Sequence, residues 1–226
     1  MSTHMPILYG SPLSPFVRKV AVVLEEKNIV YEWKPVRPHD YTAPDFLEIS
    51  PLGKIPAYKD EQVSLADSSV ISFYLEKAHP EISLYPADMI ELVKVLWFEE
   101  YFDGGMLIPM NTIYFYKFFN PLLNKPVDNS VLKDALQNQF PPMLRYLESE
   151  LRPDKWIVGN NFSVADISLA VGFVNLRMAG YQIDGKLYPK LCAYVNRIYE
   201  RPSFIKCNDF ATEFLNGIKA KVSKLS

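Results

Sequence analysis

The segment Ile7-Leu8-Tyr9-Gly10-Ser11-Pro12-Leu13-Ser14-Pro15-Phe16-Val17-Arg18 decides how the chain is read. Three apolar residues make a short strand, and Gly10-Ser11-Pro12 ends it. From residue 17 to residue 24 apolar positions recur at helical spacing, with Glu25-Glu26-Lys27 on the wet side. Ser14 then falls at the N-cap and Pro15 at the first helical position, the preferred place for each. Caps of this kind are common, and a cap alone is reason enough for Ser14. The same geometry has a second use. Unpaired N–H groups and the positive helix end stabilise an anion beside Ser14. A hydroxyl there can donate to a bound thiolate and lower the pKa of its thiol. In that role Ser14 is an activator, not a nucleophile.

Outward from this unit, the first 85 residues change period often. Val30-Tyr31-Glu32-Trp33-Lys34-Pro35 alternates as a strand does, and residues 55–58 and 63–65 flank a hairpin-like polar turn. Residues 69–78 return to helical spacing. The order β-α-β-(α)-β-β-α gives a small mixed sheet with helices. From Pro86 onward the strand patterns stop, and residues 89–119, 131–151, 164–179 and 187–200 repeat at i, i+3, i+4. Gly104-Gly105, Pro109 and Pro141-Pro142 predict kinks. The fold class is α+β: a sheet-bearing domain over residues 5–82, a linker at 79–87, and an all-helical bundle over 88–226. The end of the chain from Asn216, with Lys219, Lys221 and Lys224, is expected to be a frayed, solvated basic tail.

Composition narrows the function. Lys and Arg total 24 against 26 Asp and Glu, a formal charge of -2, so no positive field is available for a phosphate backbone or an anionic bilayer. Nucleic acid and membrane partners are therefore not expected. Cys192 and Cys207 cannot staple a chain of 226 residues, and His4, His39 and His79 have no metal-ligand spacing, so no metal is expected. No targeting segment is visible: Met1-Ser2-Thr3-His4 is polar, and the apolar run at 20–24 is far shorter than the ~20 residues of a span. The cytoplasm is the default setting.

Two further motifs carry candidate chemistry. In Ser50-Pro51-Leu52-Gly53-Lys54-Ile55-Pro56, a proline at the start of a strand turns the backbone groups of Ile55 toward a peptide ligand if the bond is cis. An ordinary trans proline at a strand edge is the bland alternative. In Leu65-Ala66-Asp67-Ser68-Ser69-Val70, Asp67 can accept from an ammonium while Ser68 holds a carboxylate at the helix start; the plain alternative is an N-cap with a neighbouring acid.

Taken together, these motifs resemble the glutathione transferase family over nearly the whole chain, in its serine-type classes of bacterial, theta-like or phi-like kind. The resemblance implies a thioredoxin-like N-terminal domain, a helical C-terminal domain and a detoxifying transferase acting on glutathione. It implies that Ser14, four residues before Arg18, activates the glutathione thiol, that Pro56 is cis, and that Ile55 meets the peptide backbone. Asp67 and Ser68 would grip the γ-glutamyl end, and Lys54 the glycyl carboxylate. His39 lies in the loop where some classes place a histidine for that carboxylate, but out of register with their patterns. Ser163 and Asp166 match the family's capping box in the buried helix of the second domain. Where thiol-transferring members carry Cys-Pro-Phe, this chain has Ser14-Pro15-Phe16, which excludes a mixed disulfide at that position.

The co-substrate, a small hydrophobic electrophile, is expected between the domains, against Leu13 and the first long helix. That helix is rich in aromatic residues and methionine, including Tyr101, Tyr114 and Phe115, at least half of them core or interface. Phe102, Met106 and Met110 share a face by i, i+4 spacing and are the expected pocket wall. Trp33, Trp97 and Trp156 are expected in the core or an interface. The resemblance also implies a homodimer. The alternatives are a glutathione-dependent isomerase or dehalogenase, and a non-catalytic regulatory protein of the same fold, similar to the stringent starvation proteins.

Overall fold

The computed structural model describes residues 5–223. His4 and Lys224 lie outside the described residues. The N-terminal part builds β1 (Ile7–Tyr9), α1 (Pro15–Glu26), β2 (Glu32–Lys34), a 3-10 turn (Pro38–Asp40), α2 (Pro44–Leu47), β3 (Ala57–Lys59), β4 (Ser64–Ala66) and α3 (Ser68–Ala78). The strands form one sheet in the order β2-β1-β3-β4. β1 runs parallel to β2 and antiparallel to β3, and β4 is antiparallel to β3.

The register of this sheet positions everything that follows. Tyr9 stands opposite Lys34 and Ala57, and Ala57 opposite Ala66. The next residues beyond those pairs are Gly10, Pro35, Pro56 and Asp67, so all four fall at one end of the sheet. Gly10 makes the turn there with φ +145, and a Cβ on it would lie 2.5 Å from Val17 Cγ2 and 3.2 Å from Ile55 Cβ. Only glycine fits a backbone so placed.

α1 lies against the sheet and against the helical part at once. Val17, Val20, Ala21, Val22, Val23 and Leu24 are fully buried. Burial of a valine or leucine side chain stabilises by roughly 1.5–3 kcal/mol, an upper estimate because unfolded chains already hide part of that surface. The helical part comprises α4 (Met89–Glu100), α5 (Leu107–Tyr114), α6 (Asn120–Leu122), α7 (Asn129–Asp134), α8 (Phe140–Glu150), α9 (Val164–Met178), α10 (Pro189–Tyr199) and α11 (Pro202–Val222). Thirteen of the fifteen residues of α9 are buried, which makes it the central rod of the molecule rather than an amphipathic surface helix. The capping box read from the sequence begins it. Asp166 Oδ2 accepts from Ser163 N at 2.8 Å and from Ser163 Oγ at 3.0 Å. Its Oδ1 accepts from Ile157 N at 3.0 Å and from Tyr194 Oη at 2.5 Å.

The expected kinks take a particular form. α4, α5 and α6 run on through π-helical turns at Tyr101–Met106 and Phe115–Phe119, and α7 continues into α8 through another at Ala135–Gln139. Pro109, Pro141 and Pro142 withhold the N–H groups that the preceding turns need, and two of these turns open just before them. The fraying expected from Asn216 is a correction, while Lys219 and Lys221 are exposed as expected. Residues 216–222 continue α11, because Phe204, Cys207, Ala211 and Leu215 form a buried stripe that holds this helix down.

No helix among the described residues is long and apolar enough to cross a membrane. No group of three or more His, Cys, Asp or Glu among them is placed to hold a metal ion.

Candidate active site

Ser14 caps α1 as the sequence predicts. Its φ and ψ are -79° and 126°, and its Oγ accepts from Val17 N at 3.4 Å. That bond uses one lone pair and leaves the hydroxyl proton free to donate. No acidic residue occupies the first turn of α1, so the positive end of the helix is not neutralised. One turn further on, Arg18 is fully buried and has no carboxylate partner among the described residues. Burial brings its pKa down to about 10, with Tyr199, Cys207 and Tyr114 working the other way, so it stays protonated at neutral pH.

Arg18 and Asn175 clamp the loop that carries Ser14. Arg18 Nη1 donates to Val171 O at 3.0 Å and to Asn175 Oδ1 at 2.9 Å, and Nη2 donates to Pro12 O at 2.9 Å. Asn175 Nδ2 donates to Leu13 O at 2.9 Å. The loop is thereby tied to α9 by carbonyls on the two residues just before Ser14.

The loop opens on a cavity of about 810 Å³ lined in part by Leu13, Ser14, His39, Ile55, Tyr114 and Phe119. On its N-terminal side stand Ser11, Arg37 and Tyr41, and on its helical side Asn111, Phe115, Asn175, Phe214, Ile218 and Lys221. Ile55, whose bond to Pro56 is cis, has neither N–H nor C=O in a hydrogen bond among the described residues. Its neighbour Lys54 is fixed instead: Ser50 Oγ donates to Lys54 O at 2.7 Å and accepts from Lys54 N at 3.1 Å. Across the hairpin, Asp67 caps α3 with φ +85, a conformation that costs an ordinary residue about 1–3 kcal/mol. Its Oδ1 accepts from Ser69 N at 2.9 Å and Val70 N at 3.1 Å, which leaves Oδ2 without a partner among the described residues.

Family models match both halves of the chain: "Glutathione S-transferase, N-terminal domain" over residues 8–83 and "Glutathione S-transferase, C-terminal domain" over residues 111–202. A probable glutathione S-transferase of rice, GSTF2, is 32% identical over 202 residues, 87% of this chain and 92% of its own. Glutathione S-transferase 3 of maize is 32% identical over 73% of this chain and 75% of its own. The chain belongs to the glutathione S-transferase family.

Solved family structures superpose over almost the whole molecule. Glutathione transferase F2 of Populus trichocarpa gives a TM-score of 0.82 at 26% identity, covering 92% of this chain and 99% of its own. A glutathione S-transferase-I solved with lactoylglutathione gives 0.83 at 26% identity, with 91% and 99% covered. The similarity falls among plant phi-class members. The N-terminal sheet is thus the thioredoxin-like domain of this family, and the helical part its C-terminal domain.

Of the residues the sequence singles out, Leu13, Ser14, His39 and Ile55 meet in the cavity. Lys54, Pro56, Asp67 and Ser68 stand outside its lining, at the same sheet end; Lys54 and Asp67 are exposed, and Ser68 is 2% exposed. Phe102, Met106 and Met110 are corrected: all three are buried in the core and do not form the pocket wall. Phe102 and Met110 pack on Gly172 of α9, where a Cβ would lie 2.6 Å from Phe102 Cε2 and 2.8 Å from Met110 Sδ. The three do share a buried face, as their i, i+4 spacing has it, but that face belongs to the core and not to the cavity. Tyr114 and Phe115 do reach the cavity, joined by Phe119, Phe214 and Ile218. Sequence reading missed Asn175, whose signal is a polar residue in an otherwise apolar helix. Arg37 and the last turns of α11 were missed with it. Trp33 donates from Nε1 to Gly10 O at 3.1 Å, while Trp97 is 54% exposed on α4.

Proposed function

We propose that the chain is a glutathione transferase that ionises the thiol of glutathione and turns it on small hydrophobic electrophiles. The observation that carries this reading is Ser14 at the helix start, its proton uncommitted and its side chain on an apolar cavity. Ser14 donates a hydrogen bond to the thiolate, and the α1 N-terminus with Arg18 below it adds positive potential. Lowering a thiol pKa by about two units takes ~2.7 kcal/mol. A hydrogen bond to a charged group supplies about 1.5–3 kcal/mol, and a helix end about 0.3–1. The two suffice without a general base.

The remaining donors and acceptors suit a tripeptide laid along the sheet end. Ile55 offers its free N–H and C=O to the cysteinyl backbone, held outward by Pro56. Asp67 Oδ2 accepts from the γ-glutamyl ammonium, and Ser68 at the first position of α3 faces the neighbouring carboxylate. Lys54 and His39 face the glycyl carboxylate. In the reaction the sulfur forms a bond to an electrophilic carbon and the leaving group departs with its electron pair, or a conjugate double bond takes the electrons. The thiol proton has already passed to solvent.

The same reading includes a cytoplasmic homodimer. Met89, Ile90, Val93, Leu96 and Trp97 form an exposed apolar stripe on α4, and Val70 and Phe73 are exposed on α3. An exposed apolar stripe of this kind suits an interaction surface.

Substitution of Ser14 tests the reading. Ser14→Ala lowers kcat/KM for an activated aryl halide roughly 10- to 150-fold at neutral pH, the equivalent of about 1.5–3 kcal/mol. Retention on immobilised glutathione is unchanged. Equal turnover in the variant would remove Ser14 from the mechanism; retention without any turnover in the parent would favour a binding role.

A further inference from the structure

The cavity beside Ser14 is one-sided in charge. Its lining includes Arg37, His39 and Lys221 and contains no Asp or Glu. At the outer edge His39 Nε2 lies 3.3 Å from Asp40 Oδ1. The basic side chains come from two places: Arg37 and His39 from the segment after β2, and Lys221 from the last turn of α11, on the opposite wall. On the transferase reading, the first two adjoin the glycyl carboxylate of glutathione and Lys54, which leaves Lys221 unassigned. Lys219 in the same turn sits 5.5 Å from the Phe118 ring centroid. Lys221 has no ion pair among the described residues. Between Lys221 and Ser14 the wall is aromatic and aliphatic, made by Tyr114, Phe115, Phe119, Phe214 and Ile218. Leu13, Phe119, Phe214 and Ile218 belong to one apolar cluster, so α11 packs directly over the loop of the active serine.

We propose that this wall and Lys221 select aromatic electrophiles that carry an anionic group, a carboxylate or a sulfonate, on the ring edge away from the reacting carbon. An apolar wall favours the ring, and a rim cation with no carboxylate to neutralise it favours the anion. Asp and Glu are absent from the lining, so no anion repels the substituent. The anionic group takes no part in the chemistry. At the reacting carbon the C–S bond forms and halide leaves with the C–Cl electron pair. Turnover rests on the transferase reading; recognition of the aromatic anion does not.

The test compares chlorodinitrobenzene with chlorodinitrobenzoate in the parent and in Lys221→Gln, with Lys206→Gln as a control that removes a charge outside this cavity. For an exposed ion pair the expected effect is about two- to fivefold. Lys221→Gln lowers kcat/KM for the benzoate by that factor, leaves the neutral halide and the KM for glutathione unchanged, and the difference shrinks as salt is raised. Equal losses on both halides, or a raised glutathione KM, would overturn the proposal. A second readout needs no catalysis: calorimetric titration of naphthalene sulfonate and of a neutral naphthalene analogue without glutathione. Preference for the sulfonate that is lost in Lys221→Gln upholds the anion site even if neither halide turns over, in which case the transferase reading fails alone. No preference in the parent sinks the anion site alone.

Discussion

Replacing Asn175 with alanine removes one side chain and exposes two debts in the fold. Among the described residues, Leu13 O loses its only side-chain donor, at 2.9 Å, and Arg18 loses one of three acceptors, also at 2.9 Å. Both sites are buried; Asn175 is 3% exposed and Arg18 is 0% exposed. A buried carbonyl left without a donor costs about 1–3 kcal/mol, and a hydrogen bond to a charged group about 1.5–3. A water admitted to the vacated volume recovers part of this. The expected loss of stability is therefore about 2–5 kcal/mol, or a fall in Tm on the order of 10 °C for a chain of this size. Urea unfolding at a fixed protein concentration measures it. Because Leu13 directly precedes Ser14, turnover at neutral pH falls as well. Arg18→Met combined with Asn175→Ala should cost less than the sum of the single changes, by about 0.5–3 kcal/mol, since both break the same bond. A loss under ~0.5 kcal/mol in the single variant, or strict additivity in the double, would refute the clamp.

Gly172→Ala forces a Cβ to within 2.6 Å of Phe102 Cε2, and overpacking of about 1–3 kcal/mol outweighs the ~1 kcal/mol gained in helix propensity; a calorimetric Tm no lower than the parent's would contradict it. Asp60 is pushed up by its burial but held lower overall by Tyr74 Oη at 2.7 Å, the Val63 and Gln62 N–H groups and Tyr58 Oη, so its carboxyl lies below the usual range. A depressed folded pKa stabilises above the ordinary carboxylate value and is lost as pH falls through the folded one. Asp60→Asn is therefore less stable than the parent at neutral pH, and the two converge in acid; curves that stay parallel would count against it. Val93→Glu places a charge in the exposed stripe of α4 and turns the proposed homodimer into monomer in sedimentation at micromolar concentration, while a parent that is itself monomeric removes the dimer.

How much of this was visible in the residues depends on the kind of signal. The loop at Ser14, the hairpin that brings Pro56 beside Asp67, and the Ser163–Asp166 box are local patterns with fixed spacing, and the structure has each as the sequence suggests. The pocket wall was misread because i, i+4 spacing says which residues share a face and not what that face packs against. Phe102, Met106 and Met110 lie in one core cluster, and Phe102 and Met110 meet Gly172 of α9. α11 was legible in principle, since Pro202 starts it and Phe204, Cys207, Ala211 and Leu215 mark its buried face; polar residues between them masked the stripe. Asn175 is a long-range partner of Leu13, and a contact across 162 positions leaves no trace in local spacing.

The most direct measurement is a titration of the glutathione thiol in the complex, followed by the ultraviolet absorbance of the thiolate, in the parent and in Ser14→Ala. The bound thiol of the parent should ionise about two units below free glutathione, and the alanine variant should return about one to two of those units. A parent complex that titrates like free glutathione, or an alanine variant that titrates like the parent, would contradict the role given to Ser14 and the start of α1.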